Sequence, residues 1–163
     1  MFVNKRYKKL LQEAEANRQV NIDKIKTIGI ISTDEISKCI NIKEETDIIF
    51  DFTSSKIISF KDQIKKGESS TLHFSDKSFG WKGQVKDPNL KSFLDKPFDL
   101  LIGYFNKPNL YTELAVLHSK AKFKTGISKV NQNLYELEIN EIPKNTERFL
   151  VELKKYLQIL NKL

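Results

Sequence analysis

Apolar residues in the first segment recur at Val3, Tyr7, Leu10 and Ala14, with Leu11 beside them, and polar residues fill the other positions. Spacings of four, three and four predict an amphipathic helix, broken over Asn17 to Asn21. The period then changes. Ile25 to Ile31 (IKTIGII) is a short β-branched run, which predicts a buried strand. Thr33 or Asp34 is placed to cap a following helix with Ile36, Ile40 and Cys39 on its inner face. Asp47 to Phe52 fits a helix or a strand equally. Lys56 to Phe60 and Thr71 to Phe74 predict a second and third strand, separated by the turn-prone residues Lys65 to Ser70.

A loop rich in Gly, Lys and Ser, from Ser75 to Lys86, carries Trp81. A short helix over Asn89 to Leu94 then leads through Pro97 into the strongest strand, Phe98 to Tyr104 (FDLLIGY). Pro108 and Asn109 open a helix with Leu110, Leu114 and Leu117 on one face. Lys122 to Ile127 and Leu134 to Ile139 add two strands. The last helix starts near Asn145 and carries Phe149, Leu150, Leu153, Tyr156, Leu157 and Leu160 as a wide apolar stripe. Strands alternating with helices imply a mainly parallel sheet covered on both faces. The right-handed crossover rule then favours a single doubly wound, Rossmann-like α/β fold. Because no helical pattern lies between Lys56 and Phe74, a β-hairpin or an irregular crossover is expected there. The organisation expected is a basic amphipathic helix over 1–20, followed by one α/β domain over 21–163.

Composition narrows the setting. At 163 residues and 39% hydrophobic content, the chain has the size of one domain that needs no staple. Cys39 is the only cysteine, which excludes an internal disulfide and a Cys-cluster zinc site, and a lone thiol fits a reducing compartment. Early charge at Lys5, Arg6, Lys8 and Lys9 is followed by no apolar stretch of signal-peptide type, and no run is long enough to span a bilayer. A cytoplasmic location is expected. The net charge of +7 comes almost wholly from lysine, since only Arg6, Arg18 and Arg148 are arginine. Arginine is the residue suited to bidentate phosphate and base contacts, so nucleic acid is a weakly supported partner. The charge is also uneven: residues 1–26 hold seven basic and three acidic groups, residues 27–60 three basic and six acidic.

The chemical motifs are mostly absent. There is no phosphate-binding GxxxxGK[ST], no GxGxxG, no HExxH, no GxSxG and no EF-hand loop. His73 and His118 lie on different elements without a carboxylate at ligand spacing, so no metal and no cofactor is expected. His118 ends a helix, where a cation suits the macrodipole, and Cys39 is expected to be a small core residue. No catalytic acid, base or nucleophile is assigned. The positive pointer comes from the fold. In doubly wound sheets, ligands bind beyond the carboxyl ends of the strands where the strand order reverses. That reversal is expected between the strands ending at Ile31 and Tyr104. The candidate ligand-binding residues there are Thr33, Asp34, Asn106, Lys107 and Asn109, each loop opening a helix with free N–H groups. The same residues also serve as ordinary caps and turn formers. Trp81 is a further candidate: with Phe79, Lys77 and Lys82 it offers a stacking and charge surface, or folds back as a lid. The first helix either lies on an anionic membrane or RNA, or packs on the domain with its lysines in water.

The segments FSDKSFGWKG, KPFDLLIGYFNKPNLYTELAVLHSKAKFKTGIS and LYELEIN, with the leading helix and the KTIGII strand, resemble a family of short bacterial α/β proteins of unknown function. That resemblance implies a fold and a bacterial origin and brings no catalytic residues. FDLLIGY, a helix, and AKFKTGI closing on Gly126 are also similar to the acceptor-side half of the two-domain heptosyltransferases. The chain stops where the nucleotide-sugar half would begin. Three functions stand open. One is a non-enzymatic binding or interaction module with its site at the switch-point edge, for a protein or small ligand. Another is a small transferase-like enzyme acting on a sugar or phosphorylated substrate. The third is an RNA- or membrane-surface-associated protein using the first helix and the lysines at 120, 122 and 124. The first and last helices are the expected surfaces of a homodimer, if one forms.

Overall fold

The computed structural model describes residues 2–19, 23–51, 55–65, 71–131 and 133–163. Among these residues, six α-helices and six strands follow one another, with a 3-10 turn at Asp76–Ser78: α1 (Phe2–Ala16), β1 (Ile28–Thr33), α2 (Asp34–Ser37), α3 (Ile42–Phe50), β2 (Lys56–Phe60), β3 (His73–Phe74), α4 (Pro88–Leu94), β4 (Leu100–Tyr104), α5 (Leu110–His118), β5 (Lys124–Ile127), β6 (Leu137–Ile139) and α6 (Thr146–Ile159). The strands form one sheet in the order β3-β2-β1-β4-β5-β6. Every pairing is parallel. The fold is therefore the doubly wound, Rossmann-like arrangement, with its order reversal between β1 and β4. Those two strands run in register from Ile28 beside Leu100 to Ser32 beside Tyr104.

The pleat sends alternate residues to opposite faces. Ile31, Ile58 and Leu101 meet α4 and α5 on one face. Ile28, Ile30, Leu100 and Ile102 meet α3 and α6 on the other. From α6, Phe149, Leu150, Leu153 and Leu157 are completely buried, each worth about 1.5–3 kcal/mol of transfer from water. Helix α1 lies over α5 and applies Val3, Tyr7, Leu10 and Leu11 to the first core. Its apolar stripe is thus a packing surface. Capping sets the local boundaries: Asp87 accepts from Asn89 N–H at 2.8 Å ahead of Pro88, and Asn109 accepts from Tyr111 and Thr112 N–H at 2.9 and 3.1 Å.

Several expectations are corrected. The first strand begins at Ile28, and Ile25, although buried, lies in the approach to it with its N–H on the Lys162 carbonyl. Only four residues, Asp34–Ser37, form the helix after β1, and Cys39 beyond it is exposed, so it is no core residue. Asp47 to Phe50 belong to a helix, closed at Asp51 by a left-handed residue with φ of 58°. A β-hairpin between β2 and β3 is excluded because the pair is parallel, and β3 is two residues long with Leu72 exposed before it. Residues 20 and 21 of the expected break, Phe52, and residues 66–70 of the expected turn lie outside the described residues. Among the described residues, no helix is long and apolar enough to cross a membrane.

Candidate functional site

The loop after β1 and the loop after β4 meet at the carboxyl edge, as the strand order requires. Thr33, Glu35, Ile36, Phe105, Asn106 and Lys107 line a cleft of about 60 Å³ between them. Lys107 Nζ bridges it to both carboxylate oxygens of Glu35, at 3.2 and 3.3 Å. Both partners are largely exposed, so the pair gains little in stability and opens readily.

The other expected residues are already engaged. Asp34 is bound by Lys38 at 2.7 Å and by His73 Nε2 at 3.2 Å. The bond from Lys38 holds its carboxyl below the usual range, against the opposing effect of burial. Folding thus gives His73 a carboxylate partner 39 residues away in sequence. Asn109 spends its side chain on the first-turn N–H groups of α5, which are then not free for an anion. Thr33 makes no side-chain cap bond to α2. Trp81 does not line this cleft; it lies against Phe2 of α1, while Phe79 enters the core. His118 donates its Nε2 proton to the Gly83 carbonyl at 2.9 Å. Burial pushes its pKa down, so it is a neutral donor and not the cation expected at a helix end.

A larger space lies on the other side of segment 33–41. Cys39, Ile40, Asn41, Glu45, Ile48 and Ile49 face residues 144–148 across a groove of about 720 Å³. Its two rims are helix beginnings. At α3, Asn41 is a cap that accepts from Glu44 N–H at 3.3 Å. At α6, the N-cap residue Asn145 makes no side-chain cap bond and turns its amide to Glu141 at 2.9 Å, so its side chain leaves the first-turn N–H groups uncapped. The positive end of the α6 dipole therefore opens on the groove beside Lys144 and Arg148, the latter paired with Glu141 at 3.2 Å, and the carboxyl groups of Glu45 and Glu147 share the same lining. Tyr104 ties this rim to the sheet, donating to the Pro143 carbonyl at 2.7 Å, and burial raises its pKa to about 12. Within the groove, Glu45 titrates above the ordinary range, first through burial and then through Glu147 and Glu44.

Sequence reasoning missed this groove, although a signal was present: the strand–loop–helix passage at Ile139 to Thr146 repeats the geometry that singled out the loops after β1 and β4. It also missed a buried polar cluster under α1. Glu113 occupies the core-facing position three residues after Leu110 and is 5% exposed. Tyr7 donates its hydroxyl proton to Glu113 Oε2, and Asn131 Nδ2 donates to the Tyr7 oxygen at 2.8 Å. The Tyr135 hydroxyl lies buried without a partner. Among the described residues, no group of three or more His, Cys, Asp or Glu is arranged to hold a metal ion.

The fold and this edge define a class, the doubly wound Rossmann-like α/β proteins with an open groove along the carboxyl ends of the strands. The particular assignment is to a family: residues 1–160 match the model of a family of unknown function (DUF6913), and the chain belongs to that family. No curated protein and no solved structure matches the chain.

Proposed function

We propose that this protein is a non-enzymatic, cytoplasmic binding module that takes a small anionic ligand at the carboxyl edge of its sheet. The observation that carries this reading is the 720 Å³ groove onto which the uncapped start of α6 opens beside Lys144 and Arg148. Small-molecule sites occupy about 300–1,000 Å³, whereas the cleft at Asn106 has room for about two water molecules at roughly 30 Å³ each. The groove suits the body of a ligand, with Ile40, Ile48 and Ile49 as apolar contacts. The switch-point residues Thr33, Asn106 and Lys107 act as a rim, reached when Lys107 releases Glu35. A thermal-shift screen of mononucleotides, sugar phosphates and carboxylic acids tests this. A ligand that raises the melting temperature of the wild type should lose that effect in Lys144→Glu/Arg148→Glu and keep part of it in Asn106→Ala. If every stabilising ligand is indifferent to both variants, the edge is not the site.

A second reading, a small transferase-like enzyme of bacterial origin related to the acceptor half of heptosyltransferases, is supported by Glu45 alone. A carboxyl group raised by burial and set beside Glu147 in a groove is suited to general acid–base work. Turnover of an activated sugar that disappears in Glu45→Gln, with the melting temperature unchanged, would favour this reading over the first.

A further inference from the structure

The start of α1 and the turn around Trp81 form a surface that neither cleft uses. Phe2 is 50% exposed and Trp81 63% exposed. Their rings meet edge to face with centroids 5.0 Å apart. Lys5 Nζ lies 5.9 Å from the centre of the Phe2 ring, and Lys82 Nζ 4.7 Å from that of Trp81. The two segments are seated on each other. Gly83, with φ of 78°, brings the turn against Arg6 and Val3, where a Cβ would come within 3.1 Å of the Arg6 Cβ. The Gly83 carbonyl is held by His118 on α5. A tertiary contact therefore joins two aromatic rings that are 79 positions apart in the chain.

Charge says what covers these rings. Among the described residues, Lys5, Arg6, Lys8 and Lys82 make no ion pair, and Lys9 only a 3.6 Å contact with Glu13. No acidic residue occurs between Phe2 and Gln12 or between Phe79 and Lys86. We propose that this surface docks on an anionic bilayer, with Phe2 and Trp81 at headgroup depth and Lys5, Arg6, Lys8, Lys9 and Lys82 against the acidic headgroups. Tryptophan at the membrane–water boundary, flanked by cations, is the pattern such contacts use. Single-stranded nucleic acid fits less well. Base stacking needs an open ring face, but each ring here has an ammonium group near its centre, and the edge-to-face geometry leaves no slot between them. Only one of the five cations is an arginine. The apolar stripe of α1 is committed to the core, so the contact is shallow and reversible and depends on acidic lipid.

Trp81 is the only tryptophan, so its fluorescence reports on this surface directly. The full chain, with any affinity tag at its C-terminus, is titrated with vesicles of phosphatidylcholine containing about one third phosphatidylserine, a composition that gives a strongly negative surface. Vesicles of phosphatidylcholine alone and a short single-stranded RNA form the other arms. The expected result is a blue shift of Trp81 emission with co-sedimentation on the anionic vesicles only. Lys5→Gln/Lys82→Gln should weaken partitioning about twenty-five-fold, roughly fivefold per lysine. Lys96→Gln/Lys155→Gln, with the same net charge, should leave it unchanged. Phe2→Ser should weaken it without changing the melting temperature. The proposal is overturned by an unshifted Trp81 on anionic vesicles, by equal effects of the two lysine pairs, or by RNA binding at concentrations where vesicles do not bind.

Discussion

Tyr135 is the residue whose surroundings are most demanding. Its ring lies over two strands at positions where both carry glycine: a Cβ at Gly103 would come within 2.1 Å of the Tyr135 hydroxyl, and one at Gly126 within 2.3 Å of its Cζ. The hydroxyl has no hydrogen-bond partner, and burial followed by the charges of Glu113 and Glu138 keeps its pKa well above the ordinary value. An unsatisfied buried hydroxyl costs about 1–3 kcal/mol, so Tyr135→Phe should raise stability in urea unfolding. Gly103→Ala should lower it by about 1–3 kcal/mol through overpacking. Because the oxygen is the nearest atom at that glycine, Tyr135→Phe should recover part of the loss in the double variant. Strict additivity of the two changes would show that the clash lies elsewhere.

At the scale of elements, α1 attaches to the rest of the molecule through an apolar stripe and one polar point. The stripe was legible in the spacing of Val3, Tyr7 and Leu10, and the packing follows from it. The polar point was not, because Glu113 and Asn131 lie 106 and 124 positions from Tyr7. Burial first, then the bond to Glu113, pushes the Tyr7 hydroxyl far above its ordinary pKa, so it stays a proton donor throughout the working pH range. Tyr7→Phe keeps the ring and leaves the Glu113 carboxylate without this donor. Stability should fall by about 1–3 kcal/mol, and amide exchange in α1 should rise more than exchange in α6. Uniform acceleration across both helices would mean that α1 has no separate opening step.

At the scale of the whole molecule, the parallel sheet collects the loops that leave the strands at one edge and those that enter them at the other. The proposed groove lies at the first, and Asp99 holds the second together. Its carboxylate accepts from Lys26 N–H, Thr27 N–H and the Thr27 hydroxyl at 3.0, 3.0 and 2.9 Å, and from Lys122 at 2.9 Å, joining the entries of β1, β4 and β5. Burial works to raise its pKa, and these bonds outweigh it, so it titrates below the ordinary aspartate value. The folded form is therefore favoured while Asp99 is ionised. Its contribution is complete above the unfolded-state value near pH 4 and is lost as pH falls through the lower folded-state value. Asp99→Asn should reduce stability at pH 7, and its deficit against the wild type should shrink steadily below pH 4. A deficit independent of pH would assign the role of Asp99 to packing.

The alternation of strands and helices, the mainly parallel sheet and the position of the switch point were present in the sequence, because periodicity, β-branched runs and capping residues act over a few positions and the crossover rule does the rest. The helix over Ile42–Phe50 and the parallel β2–β3 pair were not. IKTIGII, FDLLIGY and the stripe from Phe149 to Leu157 each specify an element by themselves. What only the tertiary structure decided are meetings of residues far apart in the chain. His73 on Asp34, Tyr7 on Glu113, Phe2 on Trp81, and the groove between α3 and α6 each depend on where separate segments come to rest. Local spacing carries no information about such distances, and packing supplies it.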